Sequence, residues 1–288
     1  MRKLFWFLAI PLLLVSVAAG SNAAPAKISV AVPAELRAKG VLTVGVKCDY
    51  PPFGYVDTSG KTVGYDVDFA RELAMLALGN PNAVQTQCVS SADRIPYLTT
   101  HRVDLVIATL GYNADRARVI AFSKPYFSQT GRVLVTKASG INSIKDFSGK
   151  TVLTLKGTPY GKWFNDCLPS AKVTEYDTTS QALIALKEGR GVGYADDDTL
   201  LIGLAGKDPT LTVVGALYSS KYGVGMRLDD DAMIKWVNAA ITQLQAEDFF
   251  FDQFKKWVPD KHLQDLFSES MPRPGHDLTY PTGPVVHC

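Results

Sequence analysis

Apolar residues in this chain fall into short runs separated by turn signals, and the runs alternate with segments of helical period. Residues 41–46 (VLTVGV) and 103–108 (VDLVIA) are brief and mostly apolar, the pattern of buried strands, and 84–88 (VQTQC) reads as a third strand. Between the first strand and 84–88, residues 64–78 space Val67, Ala70, Leu73, Ala74 and Leu78 at helical intervals, and Gly79-Asn80-Pro81 stops that helix. Tyr50-Pro51-Pro52-Phe53 cannot prolong the first strand, because two prolines remove donors and fix the backbone. Pro96 fits only the first turn of a helix, so the next helix begins close to Asp93. Strand, helix, strand, helix, strand predicts a parallel α/β sheet with right-handed crossovers.

The pattern recurs further on without a sequence repeat. Strands over 150–155, 172–176 and 192–195 alternate with a helix after Gly157-Thr158-Pro159 and another over 180–188, and Asp196-Asp197-Asp198 leads into a third. Strands at 132–136, 211–214 and 222–226, an amphipathic helix over 229–246 and a short aromatic helix over 249–257 complete the pattern. The length suits two modest lobes. Beyond Pro272 the composition predicts an extended tail unless a disulfide through Cys288 ties it down.

Ligands of open α/β sheets bind beyond the carboxyl ends of the strands, and Tyr50, Ser91, Thr109 and Arg116 all fall at such ends. The stretch 90–118 carries two arginines, Arg94 and Arg116, each in the opening turns of a predicted helix. Free N–H groups and the helix dipole favour an anion there, and a guanidinium fork matches a carboxylate in two-point geometry. Either arginine alone is compatible with a solvated surface position; the pair flanking one strand points to an anion site at an exposed helix mouth. Asp196-Asp197-Asp198 lacks the alternating ligands and glycine of a calcium loop. One of these aspartates at a strand end could accept from a ligand ammonium, with helix capping as the competing role. A carboxylate clamp, an acid and aromatic walls together describe a site for an amino acid.

Composition narrows the setting. A net charge of +2 without a basic stripe argues against nucleic acid as a partner. Met1-Arg2-Lys3, an apolar run to Val17 and small residues through Ala23 have the layout of a secretory signal peptide cleaved near Ala23. The run is shorter than the roughly 20 residues of a membrane span, so the mature chain is expected to be exported and soluble. In an oxidising compartment Cys48, Cys88, Cys167 and Cys288 are expected to form disulfides. Four cysteines allow three pairings. Cys48 and Cys88 each end a predicted strand, which makes Cys48–Cys88 with Cys167–Cys288 the expected set. No HExxH, CxxC, GxSxG or phosphate-binding loop occurs, and the four histidines lack ligand spacing. No catalytic activity, metal or cofactor is expected.

In order and spacing, VGVKCDYPPFGYVDTSGKTVGYDVDFARELA, SSADRIPYL, VDLVIATLGYNADRARVIAFSKPYF, LKGTPYG and LKEGRGVGYADDD resemble the family 3 extracellular solute-binding proteins. These are the periplasmic amino-acid receptors of ABC importers, and the resemblance covers residues 36–258. It implies the two-lobed periplasmic binding protein fold (type II), with two α/β lobes joined by two hinge strands and the ligand closed between them. The expected boundaries are 33–128 plus 222–268 for the first lobe, 129–221 for the second and 269–288 for the tail. By resemblance, Arg116 clamps the α-carboxylate, with Thr109 and Gly111 on its loop and Thr158 completing the site from the second lobe. Asp197 matches the acid that receives the α-ammonium, and Tyr50 a wall of the pocket. Ser91 and Arg94 match the serine and arginine of the branch specific for glutamate and aspartate. Lys47 stands where that branch has an arginine and receptors for basic amino acids have an aspartate; it keeps the positive sign but loses the fork. The expected protein is a monomeric periplasmic receptor that closes on glutamate or aspartate and delivers it to a membrane permease. Glutamine, another polar amino acid or a small carboxylate is the alternative ligand. The same fold also serves exported cyclohexadienyl (prephenate) dehydratases, which need a proton donor that no His or Glu in the pocket positions supplies.

Overall fold

The computed structural model describes residues 28–281 and Cys288; the expected signal peptide, residues 1–23, lies outside the described residues. The first part of the chain runs α1 (Ala34–Lys39), β1 (Leu42–Val46), β2 (Asp49–Tyr50), β3 (Gly54–Val56), β4 (Thr62–Val63), α2 (Tyr65–Leu78) and β5 (Val84–Cys88). It continues with α3 (Arg94–Thr99), β6 (Leu105–Val106), α4 (Ala114–Ala117) and β7 (Ala121–Phe122). A long strand, β8 (Phe127–Thr136), leads into β9 (Thr151–Leu155), α5 (Tyr160–Cys167), β10 (Lys172–Tyr176) and α6 (Thr179–Lys187). Then come β11 (Gly193–Asp197), α7 (Asp198–Lys207) and β12 (Leu211–Val214). The chain returns through β13 (Ser219–Tyr222) to β14 (Gly225–Met226), followed by α8 (Asp231–Ala246), α9 (Phe249–Trp257) and α10 (Lys261–Leu266).

The first sheet has the order β5-β1-β6-β14-β7. Its strands β5, β1 and β6 are parallel, with Leu42 opposite Val84 and Val44 opposite Leu105, as the alternation of strands and helices requires. β1 and β6 are mostly apolar because both faces are covered. On one side Val44 and Leu105 join Val67, Phe69, Trp236 and Ile241, from α2 and α8. On the other, Val106 and Ala108 pack with Leu98 of α3 and Ile120. β5 lies at the sheet edge, which is why its Gln and Thr side chains are tolerated there.

The second sheet runs β10-β9-β11-β8-β12, with β9 parallel to both β10 and β11, and β8 antiparallel to β11 and β12. Val133, Phe147 and Phe164 fill one face, and Leu134, Leu153, Leu186 and Tyr194 the other. The early part of β8 pairs instead with β13, from Phe127 opposite Tyr222 to Thr130 opposite Ser219. These two strands carry the chain between the lobes. The single strand expected over 222–226 is therefore two, because Tyr222 pairs with β8 while Gly225 pairs with β6 and β7.

Both expected disulfides are present, Cys48–Cys88 and Cys167–Cys288. Among the described residues no helix is long and apolar enough to cross a membrane. Gly64 fixes the approach of α2 to the β2–β3 turn. It has φ of 134°, and a Cβ there would lie 2.3 Å from the Phe53 carbonyl oxygen. That approach lets Tyr65 N–H reach Pro52 O at 3.0 Å and Asp66 N–H reach Phe53 O at 2.8 Å. Gly64→Ala should destabilise the fold by about 1–3 kcal/mol, the cost of a strained backbone position. The check is urea denaturation: an unchanged midpoint would show that the turn relaxes freely.

Candidate functional site

The carboxyl ends of strands from both sheets converge on a cavity of about 90 Å³ between the lobes. Eight of the nine residues proposed from sequence line it: Tyr50, Ser91, Arg94, Thr109, Gly111, Arg116, Thr158 and Asp197. Lys47 does not. Its ammonium is fully buried behind Ser91, 3.4 Å from the hydroxyl, and 3.5 Å from the Asp49 carboxylate. Burial lowers the Lys47 pKa, and Asp49 opposes that shift. Asp49 also reaches the second lobe, accepting the N–H of Thr179 at the start of α6 at 3.1 Å.

Ser90 and Asp93 close the turn that enters α3 reciprocally: Ser90 N–H donates to Asp93 Oδ1 at 2.6 Å and Asp93 N–H to Ser90 Oγ at 3.2 Å. Ser91 and Arg94 are thereby left to the cavity wall. They are not at an exposed mouth; Ser91 is 9% and Arg94 3% exposed. The second lobe covers them, so closely that a Cβ on Gly157 would lie 2.5 Å from Ser91 O. Arg94 Nη1 donates to Ala108 O at 2.5 Å and Thr109 O at 3.0 Å, and its buried Nε has no partner.

The Arg94 bonds brace a strained residue. Thr109 has φ of 48°, a region that β-branched side chains rarely enter. Its N–H donates to Asp66 Oδ2 at 3.0 Å, while Asp66 Oδ1 accepts the Tyr126 hydroxyl at 3.1 Å. Burial pushes the Asp66 carboxyl up to about 7, against the pull of these two hydrogen bonds and of Arg94.

Arg116 is half-buried and spans the lobes, with Nη1 on Gly111 O at 2.6 Å and Nη2 on Gly157 O at 2.8 Å. Burial and the neighbouring Arg94 charge bring its pKa down to about 9, so it is cationic at neutral pH. Its helix, α4, is a single turn capped by Asn113, and the positive field there comes from the guanidinium rather than a dipole.

Opposite stands Asp197, at the end of β11 and 7% exposed. It accepts the hydroxyls of Tyr50 at 2.9 Å, Tyr160 and Tyr222. Tyr50 also donates to Asp196 at 2.6 Å, and Tyr194 donates to Asp196 as well. Asp197 makes no capping bond to α7, so helix capping is not its role. Burial raises both carboxyls, Asp196 to about 7 with the Asp197 charge adding to the shift. The tyrosine hydroxyls are pushed well upward and stay protonated donors.

Sequence reasoning passed over Tyr160, Tyr222, Gln129 and Tyr218, which also line the cavity. Tyr160 was within reach, two residues beyond Thr158 at the end of a predicted strand; the other three lie on or beside β8 and β13 and become visible only once those strands are known to cross between lobes. Among the described residues no three His, Cys, Asp or Glu side chains gather as a metal would require.

Residues 42–260 match the family model of the bacterial extracellular solute-binding proteins, family 3. The chain belongs to this family. A glutamine-binding protein of Geobacillus stearothermophilus is 37% identical over 194 residues, spanning 66% of this chain and 74% of that protein. The glutamate/aspartate import solute-binding protein of Escherichia coli K12 is 29% identical over 258 residues, 82% of this chain and 83% of its own. The solved structure of a solute receptor for L-cysteine from Neisseria gonorrhoeae has a TM-score of 0.76 at 31% identity, covering 81% of this chain and 94% of that one. Further relatives are named for arginine and L-cystine. The fold is the type II periplasmic binding protein fold that the family resemblance implies.

Asp66 gives a pH signature. Its carboxyl is raised from 3.8 to about 7 in the folded protein, so it binds its proton more tightly folded than unfolded. Its contribution to stability is complete below about pH 4 and is lost as pH rises through about 7. The melting-temperature difference between the wild type and Asp66→Asn should therefore shift against the wild type between pH 4 and pH 8. Thermal unfolding across that range checks it; a constant difference would show that Asp66 is ionised throughout.

Proposed function

We propose that this family member is a periplasmic amino-acid receptor of an ABC importer that holds glutamate or aspartate between its two lobes. The relatives named for amino acids support the ligand class, and the name of a Bacillus subtilis relative, an ABC transporter glutamine-binding protein, supports the importer. In this reading residues 33–128 plus 222–268 and residues 129–221 are the moving bodies, with β8 and β13 as hinge. A signal peptide cleaved near Ala23 sends the chain to the periplasm, where it works as a monomer and presents its closed form to a permease.

Arg116 takes the α-carboxylate, with the Thr109–Gly111 loop and Thr158 supplying further donors, and Asp197 takes the α-ammonium. The observation that carries the choice of an acidic ligand is Arg94, buried beside the cavity with Nε unpaired and Ser91 next to it. A carboxylate there would satisfy a buried donor that otherwise costs about 1–3 kcal/mol. Lys47, behind Ser91, adds positive potential from beneath. Glutamine is the second reading. The Lys47 ammonium is shared with Asp49, which reduces the positive charge at the side-chain end, and an amide oxygen can also accept from Arg94.

Mass spectrometry of the small molecule released on denaturing purified protein, followed by calorimetry, tests the ligand. Arg116→Ala should abolish binding of every amino acid. Arg94→Lys retains a donor for the Ala108 and Thr109 carbonyls but removes the fork. It should weaken glutamate and aspartate about tenfold more than glutamine. Equal losses for all three would end the division of roles.

A further inference from the structure

Tyr218 stands on the segment that leads into β13, in register with Gly131 of β8. Gly131 N–H donates to Tyr218 O and Leu217 N–H to Gly131 O, both at 2.8 Å. Gly131 leaves room for the Tyr160 ring to lie across β8; a Cβ there would sit 2.4 Å from Tyr160 Cε1. The Tyr160 and Tyr218 rings pack with centroids 5.7 Å apart. Tyr160 is itself tied to Asp197, so Tyr218 rests against a fixed neighbour, and it is only 8% exposed. Its side chain lines the cavity, yet its buried hydroxyl finds no hydrogen-bond partner among the described residues.

That hydroxyl differs from those of Tyr50, Tyr160 and Tyr222, which are all committed to Asp196 or Asp197. With three hydroxyls on it already, Asp197 is not the group that Tyr218 serves. Burial, with Asp197 adding to it, pushes the Tyr218 pKa upward, and Arg116 pulls against that shift. The hydroxyl is therefore a neutral donor in the field of the guanidinium. Arg116 spends two of its five N–H groups on Gly111 O and Gly157 O, which leaves donors for an anion. A buried donor without a partner is costly, and an anion seated on Arg116 would remove that cost.

We propose that Tyr218 is a further ligand-binding residue, whose hydroxyl donates to the α-carboxylate held on Arg116 and so favours ligands with a free carboxylate at that end. The proposal rests on the reading of Arg116 as the carboxylate clamp. A hydrogen bond to an ionised acceptor is about twice as strong as one to a neutral carbonyl, so an α-amide gains less from the same hydroxyl. The role belongs to the frame shared by all amino acids and is separate from the side-chain reading assigned to Arg94.

Tyr218→Phe is the test, because it keeps the ring and its contact with Tyr160 and removes the hydroxyl alone. Calorimetry should show about tenfold weaker binding of glutamate, aspartate and glutamine alike. The melting temperature of the ligand-free variant should hold or rise by about 2–4 °C, since an unpaired hydroxyl has been removed from a buried site. A fall in melting temperature with unchanged affinity would make Tyr218 a packing residue and overturn the proposal. A loss confined to the acidic ligands would overturn it too, by moving the hydroxyl to the side-chain end. The α-amide of glutamate separates the two ends of the frame: the variant should bind it only about threefold more weakly than the wild type does. A full tenfold loss on the amide would assign the hydroxyl to the ammonium instead. If the wild type takes a neutral or basic amino acid, the acidic reading fails, and the same comparison on that amino acid and its α-amide still decides Tyr218. A wild type that binds no α-amino acid overturns both.

Discussion

A carboxylate buried at the tip of a strand has to be surrounded by donors, and Asp197 meets that need with three tyrosines from distant parts of the chain. Tyr50 arrives from the first lobe, Tyr160 from the helix after β9, and Tyr222 from the strand that returns between the lobes. Without them the buried charge would cost several kcal/mol. Tyrosine suits the task because each hydroxyl arrives on an aromatic body that also walls the cavity. The other bonds across the cleft are polar too, Asp49 to the Thr179 N–H and Arg116 to Gly157 O. Contacts of this kind can be exchanged for water, but apolar burial also joins the lobes, with Leu200 of α7 in the same buried cluster as Tyr50 and Phe53.

A second constraint lies under the first lobe's side of the cavity. Thr109 is held in a strained conformation by Asp66 from α2 and by Arg94 from α3, and its loop continues to Gly111 and the arginine clamp. Arg94 therefore has two tasks, bracing the loop and facing the ligand. The loop also depends on Asp66, which accepts the Thr109 N–H, while the Asp197 charge offsets part of the cost of burying the guanidinium. Gly64 belongs to the same chain of dependence, because it brings the start of α2 against the Phe53 turn and so sets where Asp66 can reach.

Elements whose signals are local were legible from sequence. The helix stop at Gly79, the late start of α3 set by Pro96, the loops after β1 and β6, and the helix entered at Asp196-Asp197-Asp198 follow from neighbouring residues alone. That is also why Arg116 and the run Asp196-Asp197-Asp198 could be picked out as strand-end groups, while Thr158 and the choice of Asp197 came with the family resemblance. What escaped depends on the other lobe. Arg94 reads as an exposed helix-mouth residue until the Gly157 turn is seen lying on Ser91. Tyr222 reads as part of one strand until its two neighbours are found in different sheets. Lys47 carries the expected sign, but the turn of β2 directs it behind Ser91 and toward Asp49, a placement that no spacing rule announces.

The two disulfides bear on the site in different ways. Cys48–Cys88 joins the residue beside Lys47 to the end of β5, just ahead of the Ser90–Asp93 turn, and so binds two cavity-forming loops within one lobe. Closing its 40-residue separation restrains the unfolded chain by an amount worth about 4 kcal/mol, and it does little to the native state because Cys88 already pairs with Val46, just ahead of Cys48. Cys167–Cys288 closes 121 residues, and the enclosed chain passes from the second lobe through β13 into the first. A loop that closes between the lobes restrains the unfolded ensemble over a longer stretch of chain. Cys288 is therefore tied to the end of α5 in the second lobe, while Tyr280 stacks on Tyr112 at the wall of the cavity.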